Sequence, residues 1–220
     1  MKQIAVIGLG RFGMSLAESL TENRCQVLAI DSDMERVKKA QSIVTQAAQL
    51  DARDEEALKA VGITEMDTVV VAIGSDVEAS MLATMILKEM GVQHVVAKAV
   101  TKLHGRFLER IGADKIIYPE IDSGQRLGRN LAKPSIVEQI EFGSEYGVFE
   151  IKTPPSWVGK SIGDLGVRPK FGVTILAITS NPVEGEEPSM NVSPNASTKL
   201  SENDIILILG LFDEVEKLTK

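Results

Sequence analysis

The residues with the clearest chemical meaning form a glycine-rich segment near the start of the chain, Gly8-Leu9-Gly10-Arg11-Phe12-Gly13. The segment follows a β-branched run and precedes a helix-like pattern. At such a junction the first glycine permits a tight turn, the second lets backbone N–H groups approach a phosphate, and the third lets helix and strand pack closely. The helix N-terminus then faces the anion. The segment predicts a phosphate-binding loop, and glycines that serve only a turn are the alternative.

Two charged residues narrow the choice of nucleotide. Asp31 directly follows the second predicted strand, where its carboxylate would accept hydrogen bonds from both ribose hydroxyls of an adenosine and repel the 2′-phosphate of NADP. Arg11 would pair with phosphate oxygens bidentately, which favours a mononucleotide with several phosphates, although a solvated helix-start residue is the alternative. NAD(H) stays open because Asp31 would bind the same ribose in it. An NAD-dependent oxidoreductase is disfavoured because no Tyr-x-x-x-Lys pair is present.

The elements that must position these residues alternate over the first 120 residues. Six β-branched runs are predicted as strands: Gln3 to Ile7, Gln26 to Ile30, Ile43 to Ala47, Thr68 to Ile73, His94 to Lys98 and Lys115 to Tyr118. Helix-period segments separate and follow them: Arg11 to Asn23, Met34 to Gln41, Glu55 to Val61, Val77 to Met90, Lys102 to Ile111 and Ser123 to Leu131. This alternation predicts an α/β fold with a Rossmann-like, doubly wound parallel sheet.

Ligands of such sheets bind beyond the carboxyl ends of the strands, so the residues there become candidates by position. These are Ser32, Asp51, Ala52, Ile73, Gly74, Lys98 and Glu120. Asp51 would accept from the adenine amino group, Gly74 would let the backbone approach the adenosine, and Lys98 would meet phosphate charge. Glu120 beside phosphates implies an intervening divalent cation such as Mg²⁺ or Ca²⁺. A helix cap or a surface ion pair is the alternative for each position.

A second domain is predicted after the break at Ala132-Lys133-Pro134-Ser135, which gives a nucleotide-binding domain over 1–134 and a small α+β domain over 135–220. The second part has predicted strands at Ile136 to Glu141, Val148 to Lys152, Val173 to Ile178 and Asp204 to Leu209, and a helix from Asp213 to Leu218. The polar stretch from Thr179 to Thr198 predicts an exposed loop or hairpin tip.

Composition excludes several functional classes. The net charge is −7 and 4% of the residues are aromatic, so neither the basic stripe nor the stacking platform of a nucleic-acid-binding protein is present. No apolar run reaches the length of a transmembrane helix, and the N-terminus lacks the pattern of a signal peptide. With a single cysteine, Cys25, the chain is expected to be cytoplasmic.

Several segments together resemble the RCK family (regulators of K⁺ conductance) of the Ktr/Trk type. They are GLGRFG, AID, VVVAIGSDVEASMLATMILKEMGV, AKAV and IGADKIIYPE in the first part, and VGKSIGDLGVRPKFGVTILAI and LSENDIILILG in the second. The resemblance implies a non-enzymatic, nucleotide-sensing gating subunit. Its dimers would build an octameric ring on a membrane K⁺-translocating subunit, at the inner face of the cell membrane. ATP or ADP would select the shape of the ring.

The resemblance also implies roles for single residues. Asp31 would hold the ribose, Glu120 would take a cation, and Arg11 would sense the terminal phosphate. The phosphates would be held by Gly8, Gly10, Arg11, Phe12 and Gly13. The pocket would be completed by Asp51, Ala52, Ile73, Gly74 and Lys98. In this family the second domain can bind cyclic di-AMP at its dimer interface; Arg168 matches the family's arginine there, while Thr174 stands where relatives often have Asn. An NAD(H)-regulated Trk-like protein and a stand-alone cyclic di-AMP receptor stay open as alternatives.

Overall fold

The computed structural model describes residues 1–132, 135–143, 145–180 and 188–218. These residues divide into two compact units, Met1–Ser123 and Gly124–Lys220. The predicted domain boundary after residue 134 lies outside the described residues and stays a prediction.

The first unit is built on a six-stranded parallel sheet. Its strands are β1 (Gln3–Ile7), β2 (Gln26–Asp31), β3 (Gln46–Gln49), β4 (Thr68–Val71), β5 (Val95–Lys98) and β6 (Lys115–Ile117). They lie in the order β3-β2-β1-β4-β5-β6, so the chain reverses its direction of winding between β1 and β4. This is the order of a Rossmann fold, and the predicted fold class is confirmed.

Helices connect the strands: α1 (Arg11–Glu22), α2 (Met34–Gln41), α3 (Glu55–Ala60), α4 (Val77–Glu89), α5 (Lys102–Ile111) and α6 (Pro119–Ala132). Side chains of Asp33, Asp54, Asp76 and Thr101 accept a hydrogen bond from the first turn of α2, α3, α4 and α5 respectively. By contrast, α1 begins at Gly10, which offers no side chain as a cap. The N-terminus of α1 is therefore left without the acceptor that the other four helices have.

The sheet is buried on both faces, which explains why its strands are continuous apolar runs rather than alternating ones. Ala5 and Ile7 of β1 pack into one apolar cluster with Leu58 and Leu87, and Val6 packs into a second cluster on the other face. The core consequently fixes the carboxyl ends of β1, β2 and β4, and the residues that follow these strands are held in defined positions.

Two predicted boundaries of the first unit were wrong. The third strand was expected over Ile43 to Ala47 and lies at Gln46–Gln49, because the backbone N–H groups of Ile43 and Val44 bond to the carbonyl oxygen of Ala40 and close the end of α2. The last helix begins at Pro119, before the predicted start at Ser123. Proline suits the first position of a helix, so Glu120 lies in the first turn of α6 rather than in a loop.

The second unit contains an antiparallel sheet in the order β10-β9-β11-β8-β7. Its strands are β7 (Ile136–Phe142), β8 (Tyr146–Lys152), β9 (Thr174–Ser180), β10 (Ser189–Asn191) and β11 (Ile205–Leu211), and its helices are α7 (Ile162–Leu165), α8 (Val167–Phe171) and α9 (Phe212–Leu218). Phe149, Trp157 and Ile206 are fully buried between sheet and helices. The predicted α+β class is confirmed.

Two features of the second unit were not predicted from the sequence. The short helices α7 and α8 escaped sequence analysis, since neither is long enough to show a helical period. Strand β10 (Ser189–Asn191) lies inside the predicted loop and pairs antiparallel with β9, while residues 181–187 lie outside the described residues. Among the described segments, no helix is both long and apolar enough to cross a membrane.

Asp114 generates a testable pH dependence. Its Oδ2 accepts hydrogen bonds from the backbone N–H of Val95, 2.7 Å away, and from Nζ of Lys88, 2.9 Å away. These bonds, the backbone one above all, lower the pKa of the Asp114 carboxyl below its ordinary value of 3.8. A carboxyl whose pKa is lower in the folded state makes its full contribution to the stability of the fold at pH values above its pKa in the unfolded chain. This contribution is lost as the pH falls through the pKa of the folded state.

We therefore expect the Asp114→Asn variant to have a lower free energy of unfolding than the wild type at pH 7. The difference should shrink as the pH falls below about 3.8. Urea unfolding of both proteins at several pH values measures it. A difference that does not change with pH would contradict the assigned ionic contribution.

Candidate functional site

A cavity of about 630 Å³ lies at the carboxyl ends of the strands of the first unit. Its volume is within the range of small-molecule and cofactor sites. All residues predicted for the first unit line it except Gly13: Gly8, Gly10, Arg11, Phe12, Asp31, Ser32, Asp51, Ala52, Ile73, Gly74, Lys98 and Glu120. The fold therefore brings these residues to one place, at the point where the order of strands reverses.

The three glycines of the loop are required for different reasons. Gly8 has a φ of +95°, and a Cβ atom there would lie 2.9 Å from the backbone nitrogen of Ile73. A Cβ atom on Gly13 would overlap the carbonyl oxygen of Gly8. Gly10 has an ordinary φ of −67°, and a Cβ atom there would meet nothing within 4 Å. The fold needs Gly8 and Gly13, whereas Gly10 keeps open a surface that a bound molecule could approach.

The N-terminus of α1 is an anion-binding end. The first N–H groups of a helix have no partner within the helix, and Gly10 supplies no side-chain acceptor for them. No acidic residue lies in the first turn, which begins with the exposed Arg11. The helix dipole and the guanidinium of Arg11 therefore add their positive charge at the mouth of the loop.

Asp31 holds the loop in position. This side chain is only 6% exposed, and its Oδ2 accepts a hydrogen bond of 2.6 Å from the backbone N–H of Leu9. The same oxygen is 3.4 Å from Nη1 of Arg36, and Oδ1 accepts from the backbone N–H of Asp33 at 2.9 Å. A carboxylate has about four acceptor positions, so one position on Oδ1 is left for a ribose hydroxyl. A second hydroxyl would have to displace Arg36.

The other positive charges of the cavity are paired with carboxylates. Arg36 pairs with Asp31, Arg53 with Asp51 at 2.6 Å, and Lys98 with Glu120 at 2.5 Å; these are the ion pairs of the cavity wall. In the described part of the chain, Arg11 is the one cationic side chain of the wall with no carboxylate partner. An anion that enters the cavity therefore finds Arg11 available without breaking an ion pair.

Lys98 occupies a tight position beside the glycine loop. Its side chain is 9% exposed, and its Nζ lies 5.7 Å from the centre of the Phe12 ring, a cation–π distance. A Cβ atom on Gly74 would come within 3.1 Å of the same Nζ, so glycine there leaves room for the ammonium. The hydrogen bond from Lys98 lowers the pKa of the Glu120 carboxyl. Glu120 is thus held ionised, as half of an ion pair.

The carboxylate of Asp51 is already bonded to Arg53. Its Oδ1 accepts from the backbone N–H and from Nε of Arg53, and its Oδ2 accepts from Nε and Nη2 of the same residue. These side-chain and backbone hydrogen bonds lower the pKa of the Asp51 carboxyl. The four contacts come from three N–H groups of Arg53, because the Nε–H is shared between the two oxygens, so Asp51 keeps about one acceptor position for an adenine amino group.

The residues also bear on the predicted divalent cation. No group of three His, Cys, Asp or Glu side chains lies together as metal ligands among the residues that the structure describes. Glu120 is 64% exposed and has an ammonium, Lys98, as its partner. One carboxylate already neutralised by a lysine does not make a protein-built metal site, so the residues of this chain alone do not fit Mg²⁺ or Ca²⁺.

Sequence analysis missed part of the cavity wall: Arg36, Leu50, Arg53, Ser75, Asp76, Ala79 and Val100. Most of these residues lie one or two positions beyond those selected, in the loops after β3 and β4 or in the first turn of the following helix. The rule that residues past strand ends face the ligand could have found them if applied to longer segments.

The two residues predicted in the second unit lie side by side. Nε of Arg168 on α8 donates a hydrogen bond of 3.3 Å to Oγ1 of Thr174 at the start of β9. The fold therefore brings Arg168 and Thr174 together.

Comparisons with known proteins relate both units to one family. The model of the TrkA-N domain matches residues 4–119, and that of the TrkA-C domain matches residues 148–220. The Ktr system potassium uptake protein C of Bacillus subtilis is 36% identical over 219 residues, which cover 100% of this chain and 96% of that protein.

Solved structures show the same fold. The GsuK channel bound to NAD matches all of this chain with a TM-score of 0.67 at 16% identity, and the GsuK protein bound to ADP matches 59% of it with a TM-score of 0.52 at 23% identity. This chain spans 39% and 34% of those two chains.

Two alanine variants test whether the fold needs Gly13 but not Gly10. Gly13→Ala should lower the melting temperature sharply, because its methyl group overlaps the carbonyl oxygen of Gly8; overpacking of this kind costs about 1–3 kcal/mol or more. Gly10→Ala should melt within a few degrees of the wild type, since its methyl group meets open space. Differential scanning calorimetry without nucleotide makes the comparison. Equal losses in both variants would show that Gly10 also serves the fold.

Proposed function

Since the chain belongs to the RCK family of the Ktr/Trk type, whose chains combine a TrkA-N and a TrkA-C domain, we propose that it is the nucleotide-binding regulatory subunit of a potassium uptake system. One observation carries the proposal. An uncapped helix N-terminus and the unpaired Arg11 face a cavity of cofactor size, in a chain that matches a potassium uptake protein of Bacillus subtilis over its full length. The role is regulatory rather than enzymatic.

ATP and ADP are the proposed ligands. The anion-binding end of α1 would take the phosphates, and the remaining acceptor position of Asp31 would take a ribose hydroxyl. Arg11 favours a nucleotide that ends in phosphates over one whose pyrophosphate continues to a nicotinamide. The ADP-bound neighbour supports this assignment, and the NAD-bound neighbour supports NAD(H) as the second candidate.

Regulation would follow from the difference between ATP and ADP. A ligand shifts a two-state protein only as far as its affinities for the two states differ. The terminal phosphate of ATP is the one group that ADP lacks, and Arg11 would contact it without losing another partner. Allosteric couplings are typically about 1–3 kcal/mol, and a symmetric assembly multiplies this effect over its subunits.

The proposed partners are further copies of this chain and a membrane K⁺-translocating subunit. Exposed apolar side chains support self-association: Leu103 and Phe107 on α5 in the first unit, and Leu127 and Leu131 on the part of α6 that belongs to the second unit. We propose dimers that build an octameric ring, in the cytoplasm and peripheral to the membrane. A cation brought by the nucleotide phosphates, and cyclic di-AMP near Arg168, stay predictions.

The Arg11→Ala variant tests the phosphate contact. We expect its affinity for ATP to fall about tenfold or more, because a charge-assisted contact worth about 1.5–3 kcal/mol is lost. Its affinity for ADP should fall less. The matched control is Lys39→Ala, which removes an equal charge from the exposed surface of α2, away from the cavity. Isothermal titration calorimetry measures the ATP and ADP affinities of the wild type and of both variants, and an ATP affinity of Arg11→Ala equal to that of the control would refute the role of Arg11.

Potassium uptake tests the regulatory role directly. In cells that lack their own uptake systems and carry a Ktr membrane subunit, the wild-type chain should restore growth at low K⁺. Gly10→Ala should not restore it, although this variant folds, because its methyl group occupies the surface that phosphates must approach. Equal growth with Gly10→Ala and with the wild type would show that potassium uptake does not depend on ligand binding in this cavity.

A further inference from the structure

Arg53 is fixed in an unusual way for a residue of an exposed loop. It follows β3, and its guanidinium meets the carboxylate of Asp51 edge to edge: Nε lies 3.0 and 3.1 Å from the two oxygens, and Nη2 lies 2.6 Å from Oδ2. The backbone N–H of Arg53 binds the same carboxylate at 2.9 Å. Two parallel contacts define the plane of a guanidinium, whereas a single contact would leave it free to rotate.

This arrangement contributes little to folding. The side chains of Arg53 and Asp51 are 49% and 46% exposed, and ion pairs at such exposure add little or nothing to stability. Yet both residues line the cavity. The geometry is therefore better explained by what it presents to the cavity than by what it adds to the fold.

The other groups of the site indicate which part of a nucleotide reaches Arg53. Phosphates belong at the start of α1, beyond β1, and the ribose belongs at Asp31, which ends β2. The loop that follows β3 lies next in the sheet order, so the base of the nucleotide falls there. Ala52 and Ile73 add apolar surface at the same place.

Arg53 takes three of the about four acceptor positions of Asp51, so this pair offers the base chiefly a flat cationic surface. Guanidinium planes stack on aromatic rings, and every purine has a suitable face. On the basis of the proposed nucleotide site, we propose that Arg53 is the residue that binds the nucleobase by stacking and that Asp51 positions it. The site then selects purines over pyrimidines.

Three nucleoside diphosphates test the proposal by calorimetry. ADP and IDP share a purine but differ at position 6, while UDP has a smaller base on the same ribose and phosphates. The wild type should bind both purine nucleotides, ADP and IDP, about tenfold more tightly than UDP. Arg53→Ala should weaken ADP and IDP about 5- to 20-fold and UDP less than about threefold. Arg53→Lys should resemble Arg53→Ala, since lysine keeps the charge and loses the plane.

Other results would overturn the proposal. Wild-type affinity for IDP as weak as that for UDP would show that the 6-amino group, and not the face of the purine, is recognised. Equal weakening of all three ligands in Arg53→Ala, or full rescue by Arg53→Lys, would show that Arg53 acts only through its charge on the phosphates. Failure of the wild type to bind any of the three would instead refute the proposed nucleotide site, on which this inference rests. Melting temperatures of both variants near that of the wild type confirm that they fold.

Discussion

The hydrogen bond from the backbone N–H of Leu9 to the buried carboxylate of Asp31 is the contact on which the candidate site depends. It joins the glycine loop after β1 to the end of β2 across 2.6 Å, and it fixes where α1 begins. Because Asp31 is 6% exposed and its two oxygens accept from three donors, the carboxylate is held in one orientation. The same residue then has an acceptor position left at the cavity. One buried charge thus shapes the loop and faces the ligand.

Around this contact, the charges of the cavity are arranged unevenly. Three cations are paired with acids, and in the part of the chain that the structure describes Arg11 is the cation of the wall without such a partner. Paired cations can bind an anion only by giving up part of an existing interaction, whereas Arg11 loses only water. This asymmetry makes Arg11 the side chain best suited to distinguish ligands by their number of phosphates. We propose that a regulator of potassium uptake responds to this difference in the number of phosphates.

Most of the first unit could be predicted because its signals are local. The β-branched runs, the helix periods and the glycine spacing all lie within short segments, and the sheet order follows from the Rossmann pattern. Strand β3 was misplaced because Ile43 and Val44 are apolar residues that close a helix, which a pattern alone does not distinguish from a strand. The pairing of Asp51 with Arg53 was not predicted, because it depends on side-chain geometry. Sequence position places a residue at the site, and only the structure shows which of its atoms are already occupied.

Calorimetric titration of nucleotide-free wild-type protein and of Gly10→Ala with ATP, ADP and NADH tests the central claim most directly. The account predicts one saturable site per wild-type chain for ATP and ADP, weaker binding of NADH, and loss of all binding in the folded Gly10→Ala variant. Undiminished binding to Gly10→Ala would contradict it, and so would NADH binding well above that of both adenine mononucleotides, because neither result is compatible with phosphates held at the start of α1 by Arg11.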